Sequence, residues 1–428
     1  MNTARLLARL AALALLASPS ALAATSGVVI DQDTHKPIAG AIVTSSAGVT
    51  RSDDAGHFDI AAATTSIAAR APGYLRTEVQ LSGDATVTVA LTPFRPKAVY
   101  LSVYGIHSAS MRNAAVDLAQ HSVINALVID VKGDRGITAY RSAARDASGA
   151  TAKLSERLPP LADFPGVLAD LHAKHLYLIA RIVVFKDDPL AAAHPDWAVR
   201  DAQGRPWRDR EGLQWMDPFS HEVWQHNIDL AEEAARMGFD EIQFDYVRFP
   251  DQRGLRFSSP STEANRTAAI VGFLQAARSR LAPYNVFLAA DIFGYVCWNH
   301  NDTAIGQQIE ALGAPLDYIS PMLYPSGFTW GLPGFSNPVA APGQIVARSL
   351  AQALQRTRLP AVRFRPWLQA FRDYAFDHRA FDAAAIQAQT DAADAFGSDG
   401  WMLWNPHNQY DAGDLPQRDE ALSNAPSH

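Results

Sequence analysis

Cysteine is almost absent from this chain, and Cys297 is the only one. A lone thiol closes no internal disulfide, so the folded protein draws its stability from core burial. Cys297 follows Tyr295-Val296 in an apolar setting, which suits a small buried hydrophobe better than a nucleophile. An excess of basic charge is also missing. The formal net charge of −7 argues against a nucleic-acid partner, which favours a basic surface. No Gly-x-x-x-x-Gly-Lys-Ser/Thr cradle occurs, and no Gly-rich turn follows any predicted strand, which argues against a nucleotide-binding fold. The 13 histidines include no pair four apart, and His221 and His226 stand five apart, the wrong helical interval for a shared metal. No metal or other cofactor is expected. Beyond the amino-terminal segment, no apolar run is long enough to span a bilayer.

What is present falls into distinct segments. Residues 1–23 read as a cleavable signal: Arg5 and Arg9 supply positive charge, Leu10 to Ala17 a short apolar stretch, and Ala21-Leu22-Ala23 a small-residue cleavage pattern. This predicts a secreted or periplasmic protein. Residues 26–92 are rich in Ala, Thr, Ser and Val. Turn signals such as Asp31-Gln32-Asp33-Thr34, Ser52-Asp53-Asp54-Ala55-Gly56 and Pro72-Gly73 separate short β-prone runs, which predicts a small β-sandwich. Thr92-Pro93-Phe94-Arg95-Pro96 then forms a stiff junction.

From residue 97 to 408 the pattern alternates strand and helix. Strands are expected near Ala98–Tyr104, Ala126–Lys132, Tyr177–Phe185, Glu241–Val247, Val286–Ile292, Tyr318–Leu323, Arg363–Gln369 and Gly400–Trp404. Amphipathic stretches between them include Phe164–His175, His221–Met237, Ser261–Leu281, Thr303–Leu312 and Gly343–Thr357. Eight such units predict an α/β fold, a (β/α)8 TIM barrel, with a polar tail at 409–428. An open doubly wound sheet is the runner-up.

In a parallel barrel the carboxyl ends of the strands carry the chemistry. Phe239 to Pro250 places Asp245 near the end of the fourth strand, and Val286 to Tyr295 places Asp291 at the fifth. Paired carboxylates on neighbouring strand ends are what glycosidic bond cleavage requires. Asp245 is the expected nucleophile or base, kept ionised by Arg248. Asp291 is the expected general acid, desolvated by Phe293, Tyr295 and Trp298. Asp130 at the second strand is expected to contact sugar hydroxyls or orient the site, and Lys132 to anchor a hydroxyl or anionic group. Arg181, a charge within an apolar strand, needs a partner, and Asp130 or Asp245 would serve. Tyr246, Tyr295, Tyr324, Trp367, Trp401 and Trp404 offer faces that suit sugar rings or core packing equally. Gln369 and Asn405, with His407 nearby, look like hydroxyl ligands. His194-Pro195 and Trp197 are expected to shape a substrate loop, and Asp187-Asp188 to begin a turn.

Two resemblances add to this reading. Gly27 to Asp31, Pro37 to Ala41, Asp54 to Phe58 and Ala71 to Tyr74 resemble the carboxypeptidase regulatory-like domain, a transthyretin-like sandwich that is usually an accessory module without chemistry. Ile124 to Lys132, Phe239 to Pro250, Ala290 to Tyr295, Asp317 to Ser326 and Gly400 to Asn405 resemble a bacterial family of glycosyl hydrolase domains. That family implies a TIM-type barrel distantly similar to α-amylase and α-galactosidase enzymes, with a carboxylate nucleophile at the fourth strand end, where Asp245 stands. No carboxylate is expected at the seventh strand, which argues against the barrel glycosidases that keep a nucleophilic Glu there.

The expected function is hydrolysis of a polysaccharide or oligosaccharide by a two-carboxylate mechanism, with a cell-envelope substrate. The alternative is a carbohydrate-binding barrel without catalysis. Paired buried acids favour the enzyme, because binding alone gains little from them. The sequence does not give the oligomeric state.

Overall fold

The computed structural model describes residues 25–60, 64–81, 86–153 and 160–417. The expected signal segment and the end of the polar tail lie outside these residues. Seven short strands come first: β1 (Thr25–Asp31), β2 (Ile42–Ser45), β3 (Gly48–Arg51), β4 (His57–Ile60), β5 (Ser66–Arg70), β6 (Thr77–Gln80) and β7 (Thr86–Leu91). They form a three-stranded sheet, β4-β1-β7, and a four-stranded sheet, β3-β2-β5-β6. Along β1 buried and half-buried residues alternate, so one face is covered. Val29, Val43, Phe58, Ile67 and Val89 fill the core between the sheets.

The next eight strands are β8 (Lys97–Leu101), β9 (Ala126–Lys132), β10 (Tyr177–Val183), β11 (Glu241–Asp245), β12 (Phe287–Phe293), β13 (Tyr318–Met322), β14 (Trp367–Gln369) and β15 (Trp401–Trp404). They close into a parallel barrel in chain order, with β15 paired to β8. The expected (β/α)8 architecture is the one observed. β9, β10 and β11 are buried along their whole length, because the interior fills one face and helices such as His221–Arg236 cover the other. Gly400 makes the seam possible. It has φ +73°, and a Cβ there would lie 1.8 Å from the Pro96 carbonyl oxygen that receives the Trp401 amide.

The expected helix over Thr303–Leu312 shrinks to Ile309–Leu312. Thr303 and Ala304 take positive φ, and the Asp302 carboxylate accepts from the amides of Ala304 and Gly306 and from Arg266. Local side-chain bonds compete with the helix there.

The seven-stranded unit packs across the amino-terminal end of the barrel. Leu75 and Phe94 pack on the interior cluster that contains Tyr177, Phe287 and Tyr318. Arg76 binds Asp240 at 2.9 Å, and the Gly73 amide donates to the Tyr318 hydroxyl. Within that end Arg365 bridges Glu241 at 2.5 Å and Asp399 at 2.8 Å, its guanidinium stacked over the Tyr318 ring. The carboxyl end of the barrel is therefore the end left for chemistry.

Candidate active site

Inward-facing positions recur every second residue along each strand. This periodicity sends Tyr100, Asp130, Arg181, Asp245 and Asp291 into the upper barrel from five successive strands, β8 to β12. Arg181 is their hub. Its Nη1 donates to Asp130 Oδ1 at 2.6 Å, its Nε to Asp245 Oδ2 at 2.9 Å, and its Nη2 to that same Asp245 oxygen. Its Nε also stands 4.0 Å from Asp291 Oδ2. Tyr100 donates to Asp130 Oδ2 at 2.6 Å, and Trp367 Nε1 to Asp291 Oδ1 at 2.7 Å. Three acids thus share one guanidinium.

The charges follow from this geometry. Against the cost of burial, Asp245 and Asp130 hold Arg181 firmly protonated. Burial, and then the neighbouring Asp245 charge, raise the Asp291 carboxyl well above its usual range. Asp291 Oδ2 is buried and has no hydrogen-bond partner among the described residues, a placement that suits a protonated oxygen. Burial also raises Asp130, although Arg181 pulls it back.

A cavity of about 370 Å³ opens beside this cluster. Asp130, Arg181, Tyr100, Tyr246 and Trp404 form its walls, with Tyr104, Asp134, Arg135 and Glu211 among the residues around it. Asp245 is 6% exposed and Asp291 1%, and neither forms part of its lining. Tyr246, next to Asp245, takes φ +48°, an uncommon conformation for a bulky residue and a form of backbone strain that gathers at functional sites. Its amide donates to Asp245 Oδ1 at 2.5 Å.

Several expected site residues lie elsewhere. A register shift between β9 and β10 pairs Arg181 with Asp130 but Ile182 with Lys132. The extra residue reverses the facing of Lys132, so it leaves the interior. Lys132 is fully buried on the outer side, bound to Asp187 at 2.8 Å and Asn227 at 2.7 Å. It anchors no substrate. Arg248 does not pair with Asp245; it donates to the Phe249 carbonyl and lies over the Trp215 and Tyr246 rings. Arg181 takes that part.

Tyr295 is buried in the outer core, where its hydroxyl donates to Gly331 O and accepts from the Trp330 amide. It secures a loop instead of facing the cavity. Trp298 binds Ser349, so Trp367 is the aromatic group that touches Asp291. Gln369 is buried and spends its amide on Ser326 and the Phe371 carbonyl. Asn405 donates to Ala370 O and accepts from the His407 amide. Both fasten backbone, and neither is a hydroxyl ligand here. Trp401 is fully buried outside the barrel.

His194 stacks on Trp197 with centroids 3.7 Å apart and bonds Ser148 O; from that insertion it is Glu211 that reaches the cavity. Asp187 does start a turn, capping the helix Asp188–Ala193 through the Leu190 amide. Cys297 is buried, and burial pushes its thiol up to about 12.

Tyr324 and Trp404 lie beside the site: their rings stack 5.5 Å apart, and burial, then the Asp291 and Asp245 charges, raise the Tyr324 phenol. Tyr100 escaped the sequence reading, though alternation along β8 carried the signal. Glu211 had none, because its loop is placed by tertiary contacts, including a 3.0 Å ion pair with Lys186. Among the described residues no group of three or more His, Cys, Asp or Glu side chains is arranged to hold a metal ion.

Comparison with known proteins agrees with this architecture. The glycoside hydrolase domain of PgaB (BpsB) from Bordetella bronchiseptica shares the fold, with a TM-score of 0.54 at 15% identity over 74% of this chain and 95% of that one. A hypothetical protein from Ruminiclostridium thermocellum ATCC 27405 is 35% identical over 45% of this chain and 96% of its own, with a TM-score of 0.39. No curated protein matches the chain in sequence. A family model described as "Putative glycosyl hydrolase domain" matches residues 98–410, the whole barrel. The chain therefore belongs to that glycosyl hydrolase family, whose model spans its closed parallel barrel.

Proposed function

We propose that the protein cleaves glycosidic bonds in a polysaccharide through Asp245 and Asp291. Asp291 is the general acid, donating the proton on Oδ2 to the leaving oxygen. Asp245 is the carboxylate that attacks the anomeric carbon or activates water. The observation that carries this reading is the single guanidinium between them: Arg181 neutralises Asp245 directly while Asp291, desolvated beside it, keeps its proton.

The alternative, a carbohydrate-binding barrel without catalysis, draws on one observation. The cavity walls present Asp130 and Arg181, with Asp245 and Asp291 screened from it. A polysaccharide panel incubated with wild type, Asp245→Asn and Asp291→Asn separates the two. The expected result is cleavage by wild type, slowed about 10²–10⁴-fold in each variant. Cleavage unaffected by both substitutions would reject the assignment, and binding without cleavage would favour the alternative.

The order of charge, apolar stretch and small residues in 1–23 supports export, with an envelope or exopolysaccharide substrate outside the cytoplasm. The position of β1–β7 across the closed end of the barrel supports an accessory role for that unit.

A further inference from the structure

Gln369, Ser326 and Asp373 form a buried hydrogen-bond relay that the proposed chemistry does not use. Gln369 Nε2 donates to Ser326 Oγ at 2.7 Å, and Ser326 Oγ donates to Asp373 Oδ1 at 2.6 Å. The Asp373 carboxylate also accepts the amides of Ala375, Phe376, Asp377 and His378. Against burial, these bonds, the Ser326 hydroxyl foremost, bring the Asp373 carboxyl down to about 2. So many bonds to one anion stiffen the loop that follows β14.

The stiffened loop presents an aromatic side chain to water. Tyr374 is 59% exposed, although an aromatic ring gains by burial. It is not isolated. Its ring lies nearly parallel to that of Phe371, 7° apart in plane and 6.1 Å between centroids. Phe371 in turn meets Trp404 at 5.2 Å and Tyr324 at 5.5 Å. Trp404 lines the cavity beside Asp130 and Arg181. An aromatic stripe thus runs without a break from the exposed Tyr374 to the acid cluster.

We infer that Phe371 and Tyr374 form a distal sugar-binding platform, so that the substrate is a glycan chain long enough to extend from the cavity across the β14 loop. This rests on the glycosidase reading and narrows it to polymeric substrates. Flat apolar ring faces match the C–H faces of pyranose rings, and a rigid mount removes the entropy cost of ordering them on binding. A mount held by a fully bonded buried carboxylate fits recognition better than packing, since packing would cover the ring.

Native electrophoresis of the full chain through gels containing β-glucan, galactomannan, glycol chitin or alginate tests this, with Tyr374→Ala and Tyr374→Phe beside wild type. Retention of wild type by at least one polymer, weakened about 3- to 10-fold in Tyr374→Ala and restored in Tyr374→Phe, is the expected result. On cleaved substrates, KM should rise for long oligomers in Tyr374→Ala and stay constant for a short aryl glycoside. Unchanged retention in Tyr374→Ala, or no retention of wild type by any of the polymers, would overturn the platform. Tyr374-dependent retention without cleavage of any glycan would sink the hydrolase reading and leave the platform standing. Cleavage with KM independent of Tyr374 at every length would do the reverse.

Discussion

Arg181 places two of its nitrogens on one oxygen of Asp245, Oδ2, and its third on Asp130. That arrangement leaves Asp245 Oδ1, among the described residues, to the Tyr246 amide alone and sets the guanidinium against Asp291 without a hydrogen bond. A buried cation satisfied this way is a strong constraint on the site, because each carboxylate depends on it for compensation. The behaviour of the three acids is therefore coupled.

The titration of Asp291 should respond to Asp245. The negative charge of Asp245 raises the Asp291 carboxyl, and Arg181 lowers it. Asp245→Asn removes the first influence and frees Arg181, so Asp291 should lose its proton at a lower pH. Infrared titration of the protonated-carboxyl stretch, assigned by its loss in Asp291→Asn, measures this. No shift would show that the two acids do not interact, and an upward shift would overturn the sign assigned to the Asp245 charge.

Replacing Arg181 should cost stability in a pH-dependent way. Arg181→Met strands Asp245 and Asp130 in the barrel, a loss of about 3–5 kcal/mol at neutral pH. Without Arg181, which pulls it down, the buried Asp130 carboxyl gains a proton more readily on folding. The deficit should accordingly shrink as pH falls. Urea unfolding at neutral and mildly acid pH reads the difference, and a constant deficit would count against burial as its cause.

His226 should make the fold sensitive to mild acid. Its imidazole is buried beside Arg145, 3.3 Å from Nη1, and near Lys132. Burial, then these cations, push it down to about 3 from its usual 6.5. Between those values the unfolded chain binds a proton that the folded chain refuses. This contribution to stability is complete above pH 6.5 and declines as pH falls toward 3, by at most about 1.4 kcal/mol per pH unit. His226→Gln removes the titrating group, so its stability should depend less steeply on pH across that window in chemical unfolding.

How much could be read without coordinates varied with the physics involved. The strand-to-helix alternation marked the barrel because each strand is short, apolar and followed by an amphipathic stretch. Asp245, Asp291, Asp130 and Arg181 were legible as a group, since charges inside apolar strands need one another. Lys132 was not, because a one-residue register shift turns a side chain to the opposite face and leaves no mark in composition. Gln369 and Asn405 misled for a different reason. Polar side chains at strand ends serve loop backbone as readily as ligands, and here backbone and Ser326 take them.

The sequence by itself determined the barrel, its family and the acids at the ends of β11 and β12, because periodicity and strand-end position are local properties of the chain. Tertiary structure alone decided which cation holds Asp245, which face Lys132 takes and where the aromatic stripe runs. Those outcomes depend on register and on loops meeting from distant parts of the chain, such as Ser326 and Asp373, and no single stretch of residues encodes them.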